Sequence, residues 1–75
     1  MISICDMLLN KEGIIKSIEV DNDMKRRFMD IGIVPGVSIN RVLEDYGKSI
    51  SCYMIMDSLI AIRNKDCRGI LVSYE

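Results

Sequence analysis

Three cysteines and no histidine limit the chemistry open to this chain. Cys5, Cys52 and Cys67 lie far apart in sequence, without a C-x-x-C spacing, and their odd number speaks against a disulfide framework. A metal site built on them would need a further ligand. Histidine is absent and no carboxylate is marked out for the role. They read as small, half-buried or buried apolar residues in a reducing compartment. The missing imidazole also removes the usual acid/base group at neutral pH. The serines have no neighbouring base, and the five glycines are isolated, so no phosphate-cradling loop exists. Asp21 and Asp23 sit close together, and a pair of acids just ahead of a helix is explained by capping. No catalytic site, resident metal or cofactor is expected. The chain reads as a non-enzyme.

What remains is surface chemistry. Lys25, Arg26 and Arg27 form a basic run on a predicted helix, with Met29 beside Lys25 and Arg26 on the helical wheel. Arg26 and Asp30 have i, i+4 spacing in the weaker orientation, base before acid. Such an exposed pair contributes a few tenths of a kcal/mol, so partner contact is a better reason for these residues than stability. Exposed methionine suits an adaptable binding surface.

The elements that must position this run are legible nearby. Asp21, Asn22 and Asp23 offer cap oxygens and negative charge at the helix start. Met24, Phe28 and Ile31 share one face at i, i+4 and i+7 and are expected to pack on the core. Gly32 ends the helix in a left-handed conformation. Pro35-Gly36 fits the centre of a type II turn, and Val37 opens a strand.

Elsewhere, Ser3 caps a single helical turn that presses Ile4, Met7 and Leu8 onto the body. Strands are expected over 14–20, 37–43, 49–56, 59–63 and 70–74. In the first, Ile14, Ile18 and Val20 face one way. In the second, Val37, Ile39 and Leu43 do so. The third is apolar on both faces: Ile50, Cys52, Met54 and Met56 are assigned to the interior, and Tyr53 and Ile55 to the outside. Tyr53, with Tyr46 in the preceding loop, is therefore a candidate partner contact. Asp57-Ser58 reads as a two-residue reversal, and Asn64 as the cap of a turn reaching Cys67. The pattern is a mainly β protein, a small barrel of about five strands with one helix after the first.

Composition agrees. With 75 residues there is room for one domain, 1–75, and a core so small that oligomerisation or very efficient packing is expected to help it. A hydrophobic fraction of 49% beside 28% charged residues is globular. A net charge of −1 argues against a nucleic-acid or anionic-membrane partner. No apolar run is long enough to span a bilayer. The N-terminal apolar run is broken by Asp6 and lacks a basic leader, so a cytoplasmic protein is expected.

Met24, Arg26, Arg27, Phe28, Asp30, Ile31, Gly32, Pro35 and Gly36 together carry a family resemblance. The stretch resembles the ferrous iron transport protein A (FeoA) family, whose helix runs Met-basic-Arg-Arg-Leu-hydrophobic-acidic-Leu-Gly-hydrophobic-x-Pro-Gly. Glu12-Gly13 and Ala61-Ile62-Arg63 extend the likeness over nearly the whole chain. Asp57-Ser58 and Asp45-Tyr46-Gly47-Lys48 depart from the family's usual loops. The resemblance implies an SH3-like barrel that assists ferrous iron uptake. It would do so by docking onto the cytosolic part of a membrane transporter, ferrous iron transport protein B (FeoB). It also implies an association with transition metal ions, although this chain clusters no ligands. Two other readings fit less well. A regulatory barrel like the C-terminal domain of iron-dependent repressors would follow a DNA-binding region. A nucleic-acid-binding barrel would want a basic, aromatic surface.

Overall fold

Asp21 starts the helix and Gly32 stops it, each through identifiable hydrogen bonds. The Asp21 carboxylate accepts the Met24 N–H at 2.8 Å, and helix α1 runs over Asn22–Asp30. At the other end Gly32 has φ +102°. Its N–H donates to the Met29 carbonyl at 3.1 Å, and the Ile33 N–H donates to the Phe28 carbonyl at 2.9 Å. These two bonds satisfy carbonyls that would otherwise be orphaned, and the apolar pair that usually accompanies them is present as Phe28 and Ile33, both buried. Ile31 departs from expectation: it is 48% exposed. The helix ends at Asp30, so the i+7 position falls on the cap and turns outward. Ile33 takes the place in the core assigned to it.

The Val37 N–H donates to the Val34 carbonyl at 3.2 Å, with Gly36 at φ +95°, as a type II turn requires. Two more bonds pin the turn to the sheet: Gly36 N–H to the Ile15 carbonyl at 2.8 Å, and Ile15 N–H to the Val37 carbonyl at 2.9 Å. Open space surrounds the position a Gly36 side chain would occupy. The cost of Gly36→Val is therefore backbone strain alone, expected at about 1–3 kcal/mol. Urea denaturation measures it; an unchanged midpoint would mean the turn does not depend on glycine.

The computed structural model describes residues 1–44 and 49–74. Its strands are β1 (Ile2–Ser3), β2 (Glu12–Ile18), β3 (Ser38–Glu44), β4 (Ile50–Ile55), β5 (Ser58–Arg63) and β6 (Ile70–Ser73). They form one antiparallel sheet in the order β1-β6-β2-β3-β4-β5. The five expected strands are all present, and the two-residue β1 is additional. Glu12 and Gly13 belong to β2, which begins two residues earlier than expected.

Two register irregularities decide which side chains enter the core. In β2 one falls between Ile15 and Ser17, so Ile15 and Ile18 are buried while Ile14 is only half-buried. In β3 another falls between Arg41 and Leu43, so Ile39 and Arg41 point inward and Leu43 is 59% exposed. The alternation expected for both strands is corrected accordingly. In β4 the expected faces are reversed. Ser51, Tyr53 and Ile55 are buried, whereas Ile50 and Met54 are exposed and Cys52 is half-buried. The β4–β5 reversal is centred on Met56-Asp57, one residue earlier than expected. Both have positive φ, 49° and 66°, as a type I′ hairpin turn demands. Met56 therefore lies in the turn, exposed, and not in the barrel.

The first 3-10 turn, Ile4–Asp6, is capped as expected by the Ser3 hydroxyl, which accepts from the Cys5 N–H. Ile4 and Met7 are buried, but Leu8 is 62% exposed because the chain straightens after Met7. In the second, Asn64–Asp66, Asn64 is not the cap: Arg63 precedes the turn, with no side-chain cap bond. The Asn64 side-chain oxygen instead accepts from the Ser51 hydroxyl at 3.0 Å.

Arg41 is the buried cation of this core, 7% exposed. Its Nη1 donates to the Met7 carbonyl at 2.9 Å. Its Nη2 donates to Ser51 Oγ at 2.9 Å and to a Glu44 carboxylate oxygen at 2.7 Å. One guanidinium thus ties the N-terminal segment, β3 and β4 together.

Candidate functional site

Helix α1 and strand β5 are set beside each other with a groove of about 280 Å³ between them. Met24, Arg27, Phe28 and Ile31 line the helix side; Ala61, Ile62, Arg63 and Asp66 line the other. Phe28 and Ile62 are buried and form its floor. Arg63 Nε lies 2.9 Å from Asp66 Oδ2, closing one end with an ion pair. Arg27 is exposed and has no ion-pair partner among the described residues. Strand β5 is also an edge of the sheet. Such an edge leaves backbone donors and acceptors available, and proteins normally blunt it with charge.

The outer face of β4 and β5 continues the groove. Met54 stands opposite Leu59, Cys52 opposite Ala61, and Ile50 opposite Arg63. Leu43 of β3 stands opposite Cys52. Met54 is 39% and Leu59 62% exposed, so apolar surface crosses three strands with Arg63 the charge at its end. Met56 links this face to the end of α1: its sulfur would lie 3.8 Å from a Cβ at Gly32. A groove with an apolar floor and charged ends, joined to an exposed apolar face, can bury a partner's side chains and orient them by charge. It has no arrangement for bond chemistry. Among the described residues no three His, Cys, Asp or Glu side chains converge on a point.

The expected site residues separate clearly. Arg27 and the motif residues Met24, Phe28 and Ile31 meet in the groove. Lys25, Arg26 and Met29 are exposed on α1 but do not line it. Tyr53 is no surface residue. It is completely buried, and its hydroxyl donates to the Ile4 carbonyl at 3.2 Å. The partner-contact role expected for it is withdrawn: a tyrosine with a buried acceptor for its hydroxyl can fill the interior. Tyr46 lies outside the described residues. Leu43, Met54, Leu59 and Met56 are the surface residues that sequence reasoning missed. For Met54 and Met56 the signal was the doubled apolar pattern of the third expected strand, read there with its faces exchanged. No helix among the described residues is long and apolar enough to cross a membrane.

Solved structures share this architecture. The FeoA protein of Chlorobium tepidum matches with a TM-score of 0.86 at 18% identity, over 93% of this chain and 67% of that one. The zinc-complexed FeoA of Stenotrophomonas maltophilia, a prokaryotic SH3 domain protein, matches at 0.83 and 18% identity, over 97% and 91%. A manganese-dependent transcriptional repressor matches at 0.84 and 17% identity, over 93% of this chain but 39% of its own. At such identities these likenesses establish an SH3-like fold. No curated protein sequence matches. The family model for the FeoA domain, however, covers residues 2–74. The chain belongs to the FeoA family, a non-enzymatic accessory domain associated with ferrous iron transport.

Proposed function

We propose that this protein is a cytoplasmic accessory factor of ferrous iron uptake that docks onto the cytosolic domain of a FeoB-like transporter. The observation that carries the reading is the α1–β5 groove with its continuation over the outer face of β4 and β5. This surface is too apolar to need no partner and has charge at its margins to set orientation. The role is binding, with no metal held by this chain's own side chains. The basic run on α1 supplies the sign: a complementary partner presents acidic groups beside an apolar knob.

Exchanging Arg26 and Arg27 for glutamate in the full chain tests this against the transporter's isolated cytosolic domain. Affinity is expected to fall by about tenfold or more, because reversed charge across an interface costs on the order of 1.4 kcal/mol or more. The melting curve should stay unchanged, since both side chains are exposed and neither has an ion-pair partner among the described residues. Leu59→Asp should weaken binding similarly from the apolar side. Wild-type affinity in both variants would remove α1 and β5 from the interface. A second reading, a regulatory barrel, is favoured by the repressor match. It predicts binding to a DNA-binding module in place of the transporter domain.

A further inference from the structure

Cys5 and Cys67 take no part in the docking surface, yet the fold brings them together from the two ends of the chain. Cys5 sits in the first 3-10 turn and Cys67 closes the second. The Ser3 hydroxyl lies 3.1 Å from Cys5 Sγ and donates to the Cys67 carbonyl at 3.4 Å. The Tyr53 hydroxyl, bonded to the Ile4 carbonyl, lies 3.8 Å from Cys67 Sγ. The Ser3 hydroxyl thus bridges the Cys5 sulfur and the Cys67 backbone, the Tyr53 hydroxyl bridges the Cys67 sulfur and the Ile4 backbone, and the Cys5 side chain is among the groups that act on the Cys67 thiol. Pairing of Ile2 with Val72 and Ser3 with Leu71 holds the two segments side by side.

Access differs between them. Cys5 is half-buried and opens on a polar cavity lined also by Asp6, Arg41 and Arg68. Cys67 is fully enclosed. The third cysteine, Cys52, lies on the outer face of β4, opposite Ala61.

We propose that Cys5 and Cys67 form a reversible intramolecular disulfide, made by exchange with a small-molecule disulfide that enters at Cys5. The Cys5 thiolate attacks one sulfur of the reagent, giving a mixed disulfide and releasing one small thiolate. Local opening of the second 3-10 turn then lets the enclosed Cys67 thiol give its proton to solvent base, and its sulfur attacks Cys5 Sγ, releasing the second small thiolate. Two protein thiols are oxidised, and one small disulfide is reduced to two thiols. The bond closes nearly the whole chain into a loop and fastens β1, the shortest strand, to the C-terminal half. The second step is the slow one. Burial pushes the Cys67 thiol up to about 11, with Tyr53, Cys5 and Arg41 as its other polar neighbours. The thiolate is scarce near neutrality, and closure should accelerate by about tenfold per pH unit there.

The test uses the folded full chain carrying Cys52→Ser, incubated with oxidised glutathione at mildly alkaline pH. The expected product has lost two hydrogens by mass and has no free thiol. Its tryptic map joins segment 1–11 to segment 66–68, and a reductant restores the starting protein. Cys5→Ala in the same background, with folding checked by its melting curve, should leave Cys67 a free thiol. A glutathione adduct that persists on Cys5 beside a reduced Cys67 would overturn the proposal. So would a link that forms only in denaturant.

Discussion

Tyr53→Ala is expected to lower the free energy of unfolding by about 3–5 kcal/mol, the range found when a buried aromatic is emptied from a core. A domain of this length has roughly 4–11 kcal/mol in total, so the loss is a large share of it and, toward the lower end of that range, leaves the variant partly unfolded at room temperature. Two losses combine. The ring is completely buried on the inner face of β4, and its hydroxyl is a bonding partner of the Ile4 carbonyl in the N-terminal turn. Tyr53→Phe separates them: only the hydroxyl bond is lost, expected at about 1 kcal/mol. Urea unfolding of the two variants makes the comparison, and a stable Tyr53→Ala protein would mean that the ring is not core. Alkali provides an independent check. Burial holds the Tyr53 phenol well above its ordinary value of 10.0, and the Cys67 thiol above its ordinary 9.0. The unfolded chain releases these protons at lower pH than the folded one. The stability is therefore intact below about pH 9 and falls as pH rises through 9 and beyond.

Arg41→Met should cost about 2–4 kcal/mol, the second large effect. Methionine keeps much of the stem volume but none of the donors. The Met7 carbonyl, the Ser51 hydroxyl and the Glu44 carboxylate each lose a partner at once. Glu44 has 29% of its side-chain surface exposed and can rehydrate, which keeps the cost below that of a fully enclosed charge. Glu44→Gln should accordingly be mild, about 1 kcal/mol or less, since the amide oxygen still accepts. Equal losses from Arg41→Met and Glu44→Gln would place the energy in the ion pair. A far larger loss from Arg41→Met would place it in the bonds to Met7 and Ser51, as the geometry requires.

Local chemistry makes the helix and its exit turn legible from the residues alone. Asp21, Gly32, Pro35 and Gly36 act through their own dihedral preferences and hydrogen bonds within a few residues. The strand faces are less legible because their phase is set by partners across the sheet. An irregularity at Lys16 and another at Val42 each shift the alternation, and nothing local announces either. In β4 both faces are apolar enough to be core, so alternation alone cannot choose between Cys52 and Tyr53. What chooses is a pair of distant groups: Arg41, which draws Ser51 inward, and the Ile4 carbonyl, which receives the tyrosine hydroxyl. Arg41 itself gives no sign of its burial, because a lone arginine in a strand reads as exposed. The candidate surface is obscured by the same ambiguity. Assigning Met54 to the interior hides the face it shares with Leu59, although Arg27 and its helix are placed correctly. The nearness of Cys5 and Cys67 depends on β1 pairing with β6, a contact between chain ends that spacing does not encode.

The open edge of β5 bears on how such a protein survives at high concentration. Leu59 and Ala61 lie exposed on an edge strand, next to Met54 on its neighbour. A net charge of −1 supplies almost no long-range repulsion between copies. The surface best suited to recognition is therefore also the one best suited to precipitation. With the proposed docking, colloidal stability becomes a property of the complex: the protein would stay dispersed while that edge is covered, and its upper working concentration would be set by the supply of the partner that covers it.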